Sequence, residues 1–354
     1  MRLLMKGNEA VVRGAVAAGC RAYFGYPITP ASEIAEMASL LLPDSGGVFV
    51  PAESEIGAIQ MLFGASAAGV RAMTASSGPG ISLMQEGISY MAGALLPGVI
   101  VDVQRAGPGL GNLGVEQGDY HQVVKAGGHG CYKTPVFAPN SVQEMCDLTI
   151  HAFDVADRYR TPVMVLADGA LGQMMEPVEI TAGAAEAPEK PWAVTGTART
   201  RKNLITSILL EHEKQEIHIT GLEKTYAEIE RNEVRWEEIR TEDAEILVVA
   251  FGISSRIARA AVDMARAQGV RVGLLRPISL FPFPARRLRQ LAGKVYSIMV
   301  LELNSGQMVD DVRLHVGGIT PVELMRRTGG MMPAAEEVAE ALRKMEKECV
   351  GNKA

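Results

Sequence analysis

The chain has 354 residues, 47% hydrophobic and 21% charged, which excludes wholesale disorder and leaves room for two domains with separate cores. A formal net charge of −6 at pH 7 excludes the basic footprint of a nucleic-acid-binding surface. The four cysteines, Cys20, Cys131, Cys146 and Cys349, are scattered without CxxC spacing, the pattern of free thiols in a reducing cytoplasm.

Apolar, β-rich runs alternate with helical stretches through the first half. Residues 21–26 predict a strand and 31–42 a helix opening just after Pro30. Residues 47–50 predict a short strand and 55–69 an alanine-rich helix. Strands at 70–75, 98–104, 136–138 and 162–167 follow, with helices at 80–94 and 141–159; Ser141 stands where it caps the latter. This alternation predicts an α/β fold of βαβ units, with a mainly parallel sheet covered by helices on both faces. The N-terminus reaches Lys6 and Glu9 before any apolar core of signal-peptide length. The most apolar stretch, 92–103, is broken by Pro97 and Gly98 and is too short to span a bilayer. A cytoplasmic protein is the expectation.

The character changes after Pro177. Residues 178–203 are rich in Ala, Glu, Pro and Thr and read as a linker broken by Pro188 and Pro191. From 211 to 245 there are 11 Glu and 1 Asp against 5 Lys or Arg, and Leu222, Tyr226, Ile229 and Trp236 form a narrow apolar seam at helical spacing. A solvated connecting helix is the reading. A second α/β unit starts at Glu245, with strands at 246–251, 270–275 and 296–303 and helices at 255–268 and 283–292; 333–349 closes the chain as a charged helix. The expected organisation is therefore 1–177 as the first domain, 178–244 as linker and connecting helix, and 245–354 as the second domain.

Three glycine- or proline-rich turns carry chemistry. Gly109, Gly111 and Gly114 match GxGxxG after a strand, yet VEQGDYHQ follows (115–122) and no helix of small residues, so a nicotinamide site is disfavoured. SSGPG (76–80) joins a strand to a helix and lets the backbone pass close to a flat ligand. GYPITP (25–30) places Thr29 between two prolines at the C-terminal edge of a strand, where ligands of open α/β sheets bind. In PAESE (51–55), complementing the helix dipole accounts for Glu53, while Glu55 falls at the same sheet edge as Thr29 and Ser77.

GYPITP (25–30), SEIGA (54–58), SSGPG (76–80) and QRAGPG (104–109), in this order and spacing, resemble the α-subunit, or pyrimidine-binding domain, of 2-oxoacid:ferredoxin oxidoreductases. FGISSR (251–256), RPISLFPFP (276–284) and LELNSGQMVDDVR (301–313) resemble the transketolase C-terminal-like domain of the same subunits, so the resemblance covers most of the chain. It implies a thiamine-diphosphate-binding fold and a cofactor lying between this chain and a partner. Glu55 matches the family's glutamate on the pyrimidine ring nitrogen, a general acid/base role, and Pro27, Ile28, Ser77 and Gly78 match its other cofactor contacts. Arg105 and Thr29 match the groups that hold the substrate carboxylate, for which a guanidinium offers bidentate geometry.

The Gly-Asp-Gly…Asn motif for diphosphate and Mg2+ is missing; Ala167–Ala170 (ADGA) reads as a strand-end turn. The resemblance therefore implies a β subunit with the diphosphate domain, Mg2+ and [4Fe-4S] clusters on other chains, and ferredoxin-like and γ subunits. Coenzyme A accepts the acyl group and ferredoxin the electrons. The loop GPGLGNLGVEQGDY (107–120) departs from the GPSTG-type loop of the 2-oxoglutarate branch and looks like that of the branched-chain branch, whose substrate is 3-methyl-2-oxobutanoate. The alternatives are a 2-oxoglutarate enzyme, for which Lys125 and Lys133 are the nearest candidate second cations, and a non-catalytic homologue.

Overall fold

The computed structural model describes residues 2–180 and 188–351. Part of the expected linker, 181–187, and the side chain of Cys349 lie outside the described residues. Two sheets organise the chain, with a small ribbon of Arg2–Lys6 against Met175–Glu179 beside them. The larger sheet has seven strands in the spatial order Ser279–Phe281, Val136–Phe137, Pro162–Asp168, Gly98–Gln104, Ala72–Ser76, Ala22–Gly25, Val48–Pro51. All of its neighbours are parallel except the first pair. Gly98–Gln104 and Pro162–Asp168 are buried along their whole lengths, as their mostly Val, Ile, Leu and Met sequences require in a sheet covered on both faces.

The second sheet has five strands in the order Val322–Arg326, Ser297–Glu302, Ile246–Val249, Val272–Pro277, Trp236–Ile239, the last antiparallel. One apolar cluster runs from the first unit into the second through Phe251, Leu275 and Val300, and a smaller one sits under Ala335–Gly351. Among the described residues no helix is long and apolar enough to cross a membrane.

Most expected elements form, and the differences have identifiable causes. The connecting helix, His212–Asn232, stops before Trp236, which starts an edge strand of the second sheet. There Glu233, its side chain buried, accepts from Arg158 Nη1 at 2.9 Å and from the Tyr159 hydroxyl at 3.1 Å. Helix Gly252–Arg266 begins three residues earlier than its pattern because the Asp168 carboxylate, from the first sheet, accepts from Ile253 N at 2.9 Å. Asp168 also caps the short helix Gly169–Gln173 through Leu171 N, so the strand-end turn serves both units.

Charge also ties the units together. Ser141 caps Val142–Tyr159 by accepting from Glu144 N, and Glu144 accepts two bonds of 2.7 Å from the Arg276 guanidinium. Arg276 also reaches Glu237 at 2.8 Å, and its side chain is only 3% exposed. Truncating one partner of a buried pair leaves charge uncompensated, so Arg276→Ala is expected to cost about 3 kcal/mol. The half-buried i,i+4 pair Glu9–Arg13 should contribute no more than about 0.5 kcal/mol. Urea unfolding of both alanine variants tests this, and equal midpoints would contradict it.

Candidate functional site

Strand order determines where a site forms. From Ala22–Gly25 the chain moves outward to Val48–Pro51, then returns across to Ala72–Ser76 and continues in the opposite direction to Gly98–Gln104. The order reverses at Ala22–Gly25, and the crevice beyond the carboxyl ends of strands at such a reversal is where open α/β sheets bind ligands. The turns 26–31, 52–54, 77 and 105–119 all leave this edge. Gly25 is in register with Pro51, so their following loops start level, while Ser76 is in register with Asp102 and its loop opens two residues below the end of Gly98–Gln104.

Glu55 opens helix Glu55–Ala67 behind the Ser54 cap, whose hydroxyl accepts from Gly57 N at 3.2 Å. Its residue is 5% exposed, and it makes no hydrogen bond or ion pair among the described residues. It lies against Gly80: a Cβ built there would meet Ser76 Oγ at 2.0 Å and Glu55 Oε1 at 2.5 Å. The glycine therefore makes room for an acid and a hydroxyl to converge on the turn SSGPG. Ser77 occupies the N-cap position of Gly78–Gly93 but forms no cap bond; its hydroxyl and that of Ser76 are buried without partners. An unpartnered acid and two orphan hydroxyls beside a flat glycine turn fit a heteroaromatic ring with nitrogen donors and acceptors.

Arg105 and Thr29 meet. Arg105 Nη1 donates to the Thr29 carbonyl at 2.9 Å and Nη2 to the Leu110 carbonyl at 3.3 Å. Its Nε is buried with no acceptor, and it has no ion pair among the described residues, so the guanidinium keeps donors for an anion. Pro27 and Thr29 are exposed and Ile28 half-buried, its carbonyl accepting from Ala31 N at 2.8 Å. No hydrogen bond links Glu55 to Thr29 or Arg105; they share an edge without touching.

Arg105, Gly78 and Asp119 form one wall of a cavity of about 1170 Å³, with Arg326, Thr328 and Gly329 of the second unit opposite. Another cavity of about 1220 Å³ lies around Tyr132, Trp236 and Phe281–Phe283 and contains none of Glu55, Thr29, Arg105, Ser77 and Gly78. Lys125 and Lys133 face that second cavity, held by Asp311 and Glu230.

Sequence reasoning missed the polar residues behind Arg105. Asp102, on the buried strand, is fully buried and faces Asp119. Burial first, and then the Asp119 charge, push the Asp102 carboxyl well above the usual carboxylate range. Burial pushes Asp119 up to about 6, against the pull of Gln122, which donates to it at 2.6 Å. The two carboxyls titrate as a pair, and burial favours their sharing a proton. An aspartate inside the apolar string VIVDVQ was the available signal.

A carboxyl group raised in the native state binds protons there that the unfolded chain has released, so stability falls as pH rises. The fall starts near pH 4, the ordinary aspartate value, and continues at least to about 6, the value for Asp119. Asp102→Asn does not titrate at this position and still offers a donor to Asp119. Its melting temperature should match wild type near pH 4 and exceed it by a few degrees near pH 8, from about 1 kcal/mol or more. Parallel melting curves across that range would show that the pair shares no proton.

Comparisons with known proteins bear on this geometry. The family model described as Pyruvate flavodoxin/ferredoxin oxidoreductase, thiamine diP-bdg matches residues 13–243, and that of Pyruvate:ferredoxin oxidoreductase core domain II matches 244–338. The chain is 57% identical over 343 residues to the ketoisovalerate oxidoreductase subunit VorB of Methanothermobacter thermautotrophicus, covering 97% of each. It is 43% identical over 322 residues to the 2-oxoglutarate synthase subunit KorA of Archaeoglobus fulgidus, covering 87% of this chain and 90% of that one. Among solved structures, the 2-oxoglutarate:ferredoxin oxidoreductase from Magnetococcus marinus, with 2-oxoglutarate, coenzyme A and succinyl-CoA bound, superposes with a TM-score of 0.86 at 25% identity. That match covers 97% of this chain, which spans 65% of the longer one. The chain belongs to the thiamine-diphosphate-dependent 2-oxoacid:ferredoxin oxidoreductases, as a subunit that works with partner subunits.

Proposed function

We propose that this chain supplies the pyrimidine-binding half of an enzyme that oxidatively decarboxylates 3-methyl-2-oxobutanoate to its acyl-coenzyme A and CO2, passing electrons to ferredoxin. The observation that carries the substrate is the 57% identity, across 97% of both chains, with a ketoisovalerate oxidoreductase subunit. The site supports it. Leu110 and Leu113, 82% and 62% exposed, stand on the loop beside Arg105 and offer an apolar surface to a branched alkyl group. Lys125 and Lys133, the cations that a distal carboxylate would need, are engaged at the other cavity.

In this reading Glu55 holds the pyrimidine ring nitrogen and exchanges a proton with it, and Ser76 and Ser77 satisfy the ring's remaining polar atoms. Pro27, Ile28 and Gly78 shape the cradle. Arg105 pairs with the substrate carboxylate through the donors left free by Thr29 and Leu110, and the Thr29 hydroxyl adds a further bond. Thiamine diphosphate supplies the electron sink for the carbanion left when CO2 departs. A β subunit brings the diphosphate domain and Mg2+, and [4Fe-4S] clusters on the partner subunits carry electrons in a cytoplasmic assembly.

Co-expression with the partner subunits and coenzyme-A-dependent viologen reduction test the proposal. The expected result is a kcat/KM for 3-methyl-2-oxobutanoate well above that for 2-oxoglutarate. Glu55→Gln should lose about 10²–10⁴-fold in kcat, the scale of acid/base catalysis. Preference for 2-oxoglutarate would transfer the chain to that branch, and full activity in Glu55→Gln would remove the residue from the chemistry.

A further inference from the structure

The loop that follows Arg105 has no regular structure from Ala106 to Asp119 and carries glycines at 107, 109, 111, 114 and 118. Such a chain is free to take many conformations. Arg105 nevertheless bonds to Leu110 in the middle of it, so the place of the guanidinium depends on where the loop is held. Part of the restraint is internal: Ala106 N donates to the Gly114 carbonyl and Asn112 N to the Ala106 carbonyl, each at 3.0 Å. The rest comes from the second unit. Asn112 Nδ2 donates to the Gly329 carbonyl at 3.2 Å, and a Cβ built on Gly114 would lie 2.5 Å from the α-carbon of Gly330. The two loops pack backbone to backbone.

Glu116 closes this contact. It is 6% exposed, and its two oxygens accept from different units: Oε2 from Gly107 N at 2.7 Å, Oε1 from Gly329 N at 2.8 Å. Gly107 lies two residues after Arg105. Gly329, at a φ of +68°, turns its N–H towards the first unit just beyond strand Val322–Arg326. Both partners are donors, so the bridging group must accept at both ends. A carboxylate does this; an amide of the same shape would set its own N–H against a backbone N–H.

We infer that Glu116 is a positioning residue for the substrate-binding guanidinium of Arg105, and that residues 328–330 make the second unit a working part of the 2-oxo acid site. The inference rests on the role given to Arg105 above. It gives the second unit a function besides burying surface: it sets the height of the loop over the crevice.

The test is a double-mutant cycle on the assembled enzyme, reading KM for 3-methyl-2-oxobutanoate and kcat separately for Arg105→Ala, Glu116→Gln and the double variant. Arg105→Ala should raise KM by about 10–100-fold, the scale of a lost charged hydrogen-bonding partner. Glu116→Gln, which keeps the volume, should raise KM by about tenfold with kcat within about threefold, since ground-state and transition-state binding fall together. In the double variant the second substitution should add less than about twofold. Asn112→Ala, at an exposed position, should raise KM in the same direction and keeps the inference testable if Glu116→Gln fails to assemble. Additive effects, or a lower melting temperature in Glu116→Gln at unchanged KM, would overturn the positioning role and leave Arg105 in place. Unchanged KM in Arg105→Ala would overturn the Arg105 reading itself, and the inference with it.

Discussion

A parallel sheet places the end of every strand, and so every following loop, along one edge. Here the chain steps outward once, from Ala22–Gly25 to Val48–Pro51, and then reverses to build the rest of the sheet on the other side. The loops on the two sides of the reversal have to part. The turn bearing Thr29 leaves on one side, SSGPG on the other, and Glu55 reaches Gly80 from the strand beyond. No local sequence preference creates this crevice; strand order does. The consequence is that an acid, hydroxyls and a cation come to one edge, Thr29 and Arg105 in contact across 76 residues of chain and Glu55 apart from both. A ligand can then be gripped at several atoms by a scaffold that does not move.

The crevice depends in turn on the seam between the units, which is polar at its centre. The Gln117 side chain donates to the Phe251 carbonyl at 2.9 Å and accepts from Ser254 at 2.7 Å and Leu303 N at 3.1 Å. Its backbone exchanges further bonds with Leu303 and Asn304. Tyr120 donates to Asp311 at 2.6 Å a few residues later. Apolar packing tolerates sliding, whereas a fully satisfied buried network has one geometry, and this one fixes how the loop 105–119 meets the second unit. Glu116 is the outermost member of that network and the nearest to Arg105 along the chain.

How much was legible in the sequence follows from which contacts are local. The strand Gly98–Gln104 was readable to the residue, because its run of Val and Ile, broken only by Asp102, is what a buried parallel strand needs. Ser141 was readable as a cap because capping acts over three residues. Trp236 was misplaced because seven residues from Ile229 fits a helix as well as a strand, and only the distant Arg158 and Tyr159 bind Glu233 and end the helix. Helix Gly7–Ala17 and strand Val322–Arg326 went unassigned, one rich in small residues and the other a mostly exposed edge. Thr29 and Glu55 were legible as residues of one sheet edge, whereas Arg105 and the roles given to all three came from the resemblance of their motifs to a family. Glu116, Gln117 and Asp119 have ordinary sequence contexts, and their burial and partners arise from contacts up to 213 residues apart.

Buried polar atoms without partners are costly, and a chain sheds them unless something outside it satisfies them. Here Ser76, Ser77, Asp102, Asp119 and the Nε of Arg105 all contribute such atoms, and all lie at the carboxyl edge of two adjacent strands. Proton sharing within the aspartate pair satisfies part of this set internally. The serine hydroxyls and the Arg105 Nε have no partner among the described residues. In the function proposed above, a polar ring and an anion bound at this edge resolve the imbalance, and the energy lost in the isolated subunit is recovered on loading. Stability and function are then coupled in the same residues: the groups that make the lone subunit less stable are those that give the loaded site its affinity.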